Sequence, residues 1–519
     1  MKARIMICVA VLITFAFAGN VSGATEGDYY TYYGLSAGGS STARYNTFIG
    51  NSAGVSGTTG TENTFMGYNA GFFNSTGLSN TFLGFRSGQN NIAGSYNVFV
   101  GTRAGYKNED GTENTFVGYY AGYTNVSANF NTFIGRAAGY FNTANNNTFI
   151  GYRAGYSNTT GQPNTFVGYQ AGYSNTTAGF NTFIGHQAGN SNTTAQYNTF
   201  QGYAAGWANT TGTMNTFSGF SAGSSNTTAS LNTFYGYRAG YSNSVGTQNT
   251  FIGSDAGYSN TTASFNTFSG IYAGYSNTTG ERNTFTGNAA GYKNTIGKYN
   301  TFLGYAAGWA NTEGNYNTFF GYATGYQNTT GSNNLYLGNY AGYSNTTGTG
   351  NIFLGYNAGR NELGSNKLYI DNSSTATPLI YGDFSANTVT INGTLYAVVV
   401  SPSSREYKDN IQYLKVEDAV AALQGLNPVT YNYKKDPREH YVGFIAEDVP
   451  DLVATSDRKG LSSMDVVAVL TKVVQEQQTL IKEQQKVARQ QQEIISAHSE
   501  KITELERMLR LKAPASKPD

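Results

Sequence analysis

"NTFIGNSAG", residues 46–54, carries a spacing that recurs through most of the chain: Asn two residues before a Phe, Gly two after it, and a small residue with Gly five and six after it. The phenylalanine falls at Phe48, Phe65, Phe82, Phe99, Phe116 and Phe133, each 17 residues after the last. One step of 16, across "NTANNN" (142–147), leads to Phe149, and steps of 17 resume to Phe353. That makes 19 copies, with Tyr336 once replacing the Phe and with Ser87 and Thr324 once each replacing the small Ala. So short a unit cannot bury its own apolar face, whereas stacked copies form a continuous core. Thr-Phe-Ile has strand character, with Phe on one side and Thr and the following residue on the other. The glycines supply turns where positive φ is open to them. The spacing predicts a mostly β fold: a parallel β-solenoid over residues 46–361, one rung per repeat, with Phe over Phe and Asn over Asn. At a strand spacing of ~4.8 Å, its 19 rungs span roughly 90 Å.

The residue after the Phe is usually aliphatic (Ile49, Met66, Leu83, Val100) but is also Gln201, Ser218 or Thr286. This predicts Phe inward, with the Thr-aliphatic strip outward and packed against neighbouring subunits. A tyrosine commonly stands seven after the Phe (Tyr106, Tyr123, Tyr140, Tyr156), with Phe72, Trp207 and Trp309 as variants. Such a stripe suits packing along the coil and also suits stacking on sugars. Asn-Thr-Thr, as at Asn158 and Asn175, matches the N-glycosylation acceptor pattern, but turn chemistry alone accounts for it.

The rod offers little for catalysis. Glycoside hydrolysis usually needs two carboxylates roughly 5–9.5 Å apart. The repeats hold Glu62, Glu109, Asp110, Glu113, Asp255, Glu281 and Glu313. Glu62 and Glu113 share a register but stand three rungs apart, about 14 Å. Glu109, Asp110 and Glu113 read as a solvated turn, and His186 as a surface residue.

Lys2 and Arg4, the apolar run Ile5–Ala18 and the small residues Ser22-Gly23-Ala24 read as an export signal over residues 1–24, giving a secreted or cell-surface protein. That run is shorter than the ~20 residues of a membrane-spanning helix, and no second run of spanning length follows. The single cysteine, Cys8, lies within the signal, so no disulfide or cysteine metal site is expected, and no metal or cofactor is predicted. A net charge of +1 gives no footprint for nucleic acid or an anionic membrane. Residues 25–45 are a leader with a partial repeat, and 362–402 a transitional β segment.

Beyond residue 402 the composition turns charged and ordinary. "VEDAVAALQGL" reads as a helix, "PVTYNY" as a strand and "HYVGFIAEDVPDLV" as a strand entering a helical turn. Over 466–512 a helix carries apolar residues seven apart (Val467, Val474, Ile481, Ala488, Ile495, Ile502, Leu509), with a second row at Val473, Leu480, Val487 and Ile494. Gln477, Gln484, Gln491 and His498 form polar layers of the kind that fix register, which predicts a parallel trimeric coiled coil ahead of a 513–519 tail.

"SSREYKDNIQYL", "LNPVTYNYK" and "VGFIAEDVPDLV", in that order before a terminal helix, resemble the C-terminal intramolecular chaperone domain of endosialidase-type phage tailspikes, a self-cleaving serine-lysine peptidase family. The repeats are more loosely similar to the heads of trimeric autotransporter adhesins. The resemblance implies that residues 403–465 form a small α+β chaperone domain, with Ser403 as nucleophile, Lys408 as its base and a cut between Pro402 and Ser403. Ser404 stands adjacent as a competing hydroxyl. The whole then reads as an exported homotrimeric fibre, adhesin-like, with a surface glycan or other cell-surface ligand as its partner class. The rivals are a polysaccharide-cleaving spike and a structural appendage with an uncleaved trimerisation clamp.

Overall fold

The computed structural model describes residues 29–39, 41–57, 59–395, 404–434 and 436–512, so the export signal, Pro402, Ser403 and the tail lie outside the described residues. The chain divides into two units, Met1–Tyr396 and Ala397–Asp519.

The first unit is the solenoid. Strands β2 (Asn46–Ile49) through β20 (Ile352–Leu354) are the nineteen repeats, each only three or four residues long and each paired in parallel with the next, Phe opposite Phe. Every such Phe is buried, and the flanking Thr and aliphatic residues are exposed or half-exposed, so Phe does point inward. The rings stack face to face along the axis, with centroids 4.6–4.9 Å apart, from Phe48 to Phe353. Each fully buried ring contributes about 1.5–3 kcal/mol.

Two segments outside the predicted rod extend it. In the leader, β1 (Tyr30–Tyr33) pairs in parallel with β2 and places Tyr32 under Phe48. In the transitional segment, β21 (Lys367–Ile370) is a further parallel rung that sets Tyr369 over Phe353. The direction then reverses. The strands β22 (Ile380–Asp383) and β23 (Thr388–Ile391) are antiparallel, and Lys367 and Asp383 form an ion pair at 2.5 Å between β21 and β22. Both extensions are offset by 16 residues and lack the Asn-Thr-Phe signature.

Two glycine columns make the rung possible. Two after the Phe, Gly219 has φ +143° and packs so close to the next rung that a Cβ would sit 2.1 Å from the Gly236 carbonyl oxygen. Six after it, Gly71 has φ +58°, and a Cβ there would lie 2.5 Å from the Phe65 ring.

Polar interior atoms are satisfied by two asparagine columns rather than one. In the column two before the Phe, the Asn63 amide N donates to Asn46 Oδ1 at 2.9 Å and Asn63 Nδ2 donates to the Gly77 carbonyl at 2.9 Å. In the column nine after it, Asn74 Nδ2 donates to that same carbonyl at 3.0 Å, and Asn91 Nδ2 donates to Asn74 Oδ1 at 2.6 Å. Asn158 and Asn175 belong to this second column: both are buried, with Nδ2 already donated within the ladder. The acceptor-like Asn-Thr-Thr sites are therefore structural.

The short rung interrupts the second column. Asn142 Nδ2 turns to the Ala144 carbonyl at 2.7 Å, leaving Asn125 Oδ1 and Asn131 Nδ2 buried without hydrogen-bond partners.

In the second unit, α1 (Val416–Gln424) is followed by a hairpin of β24 (Val429–Tyr433) and β25 (Asp436–Gly443), then by α2 (Ser463–Lys512), 50 residues long and about 75 Å at 1.5 Å per residue. Ala419, Ala422 and Leu426 pack with Val449, Val453, Val469 and Val473 into a small core. The helix starts three residues before its predicted boundary. Val473, predicted in the coiled-coil stripe, is instead buried in this core.

Candidate functional site

The described part of the predicted motif, Ser404 to Lys408, opens the described residues of the second unit. Ser404 caps a one-turn 3-10 helix, Arg405–Tyr407, its Oγ accepting a hydrogen bond from the Glu406 amide at 3.2 Å. Lys408 follows as the C-cap in extended conformation, its amide N donating to the Arg405 carbonyl. A tight turn thus fixes the backbone from Ser404 to Lys408, and the Ser404 hydroxyl is engaged as a cap. Lys408 is exposed in the single chain. Ser403 and Pro402, the predicted nucleophile and its neighbour, lie outside the described residues.

The segment after the hairpin is tied by Arg458, which bonds Asp451 and donates to the Val449 carbonyl at 2.6 Å. Thr455 and Gly460 close the adjoining loop through a backbone bond of 2.9 Å. These contacts hold Val449 and Val453 against α1 and the start of α2. From Val474 onward the apolar stripe of α2 is uncovered by the described residues of its own unit: Val474, Leu480, Ile481, Val487, Ile494, Ile495, Ile502 and Leu509 are all exposed. An apolar groove of about 390 Å³ lies beside its first turns, lined by Tyr413, Leu414, Met464, Val467, Ala468 and Thr471. His498 lies on the exposed helix, and no cluster suited to a metal ion occurs among the described residues. No described helix is long and apolar enough to cross a membrane.

On the rod, Glu109, Asp110 and Glu113 share one turn, with Glu109 and Asp110 exposed, and the other carboxylates fall in separate rungs. Glu62 accepts a hydrogen bond from Ser79 Oγ at 2.8 Å, and Asp255 is paired with Arg238 at 2.8 Å. His186 is one rung of a second aromatic column, three after the Phe, stacked between Tyr169 at 4.8 Å and Tyr203 at 5.0 Å. The tyrosine stripe packs along the coil: Tyr106, Tyr123, Tyr140, Tyr156 and Tyr173 stack at 5.0–5.2 Å. Their faces cover one another. The sequence carried the signal for the second column, since aromatic residues recur at Tyr68, Phe85, Tyr119, Tyr152 and Tyr169.

No curated protein and no solved structure matches the chain. Over residues 403–456, the stretch that opens on the predicted nucleophile and runs through the 3-10 turn, α1 and the hairpin, the chain matches the family described as the chaperone of endosialidase.

Proposed function

We propose that this is an exported homotrimeric fibre of adhesive function, whose C-terminal unit aligns three chains and is then released by self-cleavage between Pro402 and Ser403. The observation that carries the reading is the exposed apolar stripe of α2 beside a region of the chaperone family. About 25 cal/mol per Å² favours burying such a stripe, and two further copies of the same helix are its natural cover. A parallel solenoid folds through long-range contacts and exposes strand edges on the way, so register errors threaten it. Joining three C-termini first sets the register, and removing the clamp afterwards leaves the rod kinetically trapped.

In the cleavage step Ser403 Oγ attacks the Pro402 carbonyl carbon while Lys408 Nζ takes the hydroxyl proton. The Pro402–Ser403 C–N bond breaks as that proton passes to the Ser403 nitrogen, leaving an ester between Pro402 and Ser403 Oγ. Water hydrolyses the ester, giving a C-terminal carboxylate on Pro402 and a free amine on Ser403.

Denaturing gels with intact mass on the purified protein test this, beside Ser403→Ala and Lys408→Ala. The expected result is fragments beginning at Thr25 and Ser403 for the unaltered chain and whole chains for both variants. Three whole chains would leave the last unit as a permanent clamp.

A further inference from the structure

Between the rungs of Phe82 and Phe149, five cations lie on one face: Arg86, Arg103, Lys107, Arg136 and Arg153. They occupy positions three, four and eight after the Phe, and in these rungs positions three, four, seven and eight hold no Asp or Glu. The carboxylates of the same rungs, Glu109, Asp110 and Glu113, are confined to the turn between Asn108 and Asn114. Among the described residues none of the five enters the ion pairs of the rod, which join Arg238 to Asp255, Lys298 to Glu281 and Lys367 to Asp383. In a chain of net charge +1 this is a local concentration of uncompensated positive charge.

The cations rest on aromatic rings instead. Arg86 lies over Phe85 at 5.1 Å, Arg103 over Tyr120 at 5.3 Å, and Lys107 over Tyr123 at 5.8 Å. Arg136 bridges Tyr119 at 5.6 Å and Tyr152 at 5.8 Å, and Arg153 lies over Tyr152 and Tyr156, both at 5.3 Å. Such contacts hold a guanidinium in place without neutralising it. The backbone also fixes the spacing: Arg103 N donates to the Phe85 carbonyl and Arg153 N to the Arg136 carbonyl, both at 2.9 Å. The result is two arginine pairs, each one rung apart, with Tyr119 and Tyr120 between them.

We infer that this strip binds an acidic polysaccharide laid along the rod, its carboxylate or sulfate groups on the four arginines and its hydroxyls on the tyrosine edges. This rests on the adhesive reading above and names the ligand class. Charge complementarity selects an anion, and the spacing of charges along an acidic glycan is comparable to one or two rungs. The rings argue against a single-stranded nucleic acid, whose bases need open aromatic faces. Here the faces of Tyr123, Tyr140 and Tyr156 are covered by neighbouring rings, as Tyr106 lies on Tyr123 at 5.2 Å, and Tyr119 and Tyr152 each carry an arginine. A neutral sugar that needs a ring face to stack on is disfavoured for the same reason.

The test uses the full chain on surfaces bearing polygalacturonate, dextran sulfate, neutral dextran or single-stranded DNA. The two acidic polysaccharides distinguish carboxylate from sulfate recognition. Binding to at least one of them is expected, falling with salt as the ~10 Å Debye length at 0.1 M shortens. Replacing Arg86, Arg103, Arg136 and Arg153 together by Gln should lower that affinity at least about tenfold. Replacing all four by Lys should retain most of it, which separates lost charge from lost folding. A triple variant elsewhere on the rod, Arg282→Gln, Lys293→Gln and Lys298→Gln, should change little.

The inference is overturned if the quadruple Gln variant binds as the unaltered chain does, if the triple variant loses as much, or if DNA binds equally well. Binding to neutral dextran that survives the Gln changes would sink the strip and leave the adhesive reading standing. No binding to any polysaccharide would remove both.

Discussion

Inserting one threonine after Thr143 should stabilise the rod, although insertions into packed structure ordinarily do harm. The insertion turns "NTANNN" into the regular turn found at "NTTAGFN", residues 175–181. It would return Asn142 to the geometry in which its Nδ2 reaches Asn125 Oδ1, as Asn91 reaches Asn74. It would also place the alanine carbonyl 14 residues after Asn131, the separation at which Asn63 reaches Gly77. Both atoms are now buried and unpartnered. Each such group costs about 1–3 kcal/mol, and ordering one more residue costs about 1–2 kcal/mol, so a net gain of about 0–5 kcal/mol, centred near 2.5, is expected. Amide hydrogen exchange followed by mass spectrometry reads this locally, because a solenoid opens in neighbouring units. Protection should rise across the rungs of Phe116, Phe133 and Phe149. The same insertion after Thr193, in a regular rung, should lower protection there. If both insertions lower it, the orphaned atoms are not what the short rung costs, and the ladder argument fails.

Three further outcomes follow from the same geometry. Tyr336 is buried, its hydroxyl lacks a hydrogen bond of ordinary geometry and is eased only by the Asn351 side chain, and burial pushes its pKa well above the usual range for a phenol, so Tyr336→Phe should gain up to about 1 kcal/mol in denaturant unfolding. Gly219→Ala combines a strained φ with a backbone collision and should cost about 3 kcal/mol or more, seen as faster proteolysis of the adjoining rungs. Leu480→Asp with Val487→Asp, introduced into the uncleavable Ser403→Ala chain, should abolish the trimer by light scattering while leaving the small core of α1 intact, since both positions are exposed in the single chain; an unchanged trimer would refute the coiled-coil reading.

The rod was legible because one period governs it. Phe every 17 residues gave the rung, the parallel pairing and the inward ring. Its ends were harder to read, since Tyr32 and Tyr369 enter the stack at offsets of 16 without the flanking Asn-Thr. The second asparagine column was visible in the sequence as Asn74, Asn91 and Asn108, but a run of Asn and Thr reads equally well as turn chemistry. Only the position of Nδ2 inside the coil distinguishes the two. Bulky residues at positive φ, such as Phe180 and Leu231, gave no warning either, because local propensity disfavours them and only the stacked rungs impose that geometry. In the second unit the helix, hairpin and long terminal helix followed their patterns. Val473 departed because a heptad position near a helix start can serve a local core as well as a partner. The candidate site was legible as a motif, and its turn at Arg405–Tyr407 is local.

In-register stacking makes seventeen codons the quantum of length for this protein. Each rung meets only the rung before and the rung after, with the same Asn, Phe and Gly contacts. A recombination event that gains or loses one whole repeat therefore leaves every junction as it was and changes the reach of the rod by one ring spacing, about 4.8 Å. The orphaned atoms beside the 16-residue rung show what an event out of step leaves behind. Gene variants of this rod should differ by whole repeats far more often than by single residues, so that its length is tunable on an evolutionary timescale while its cross-section is not.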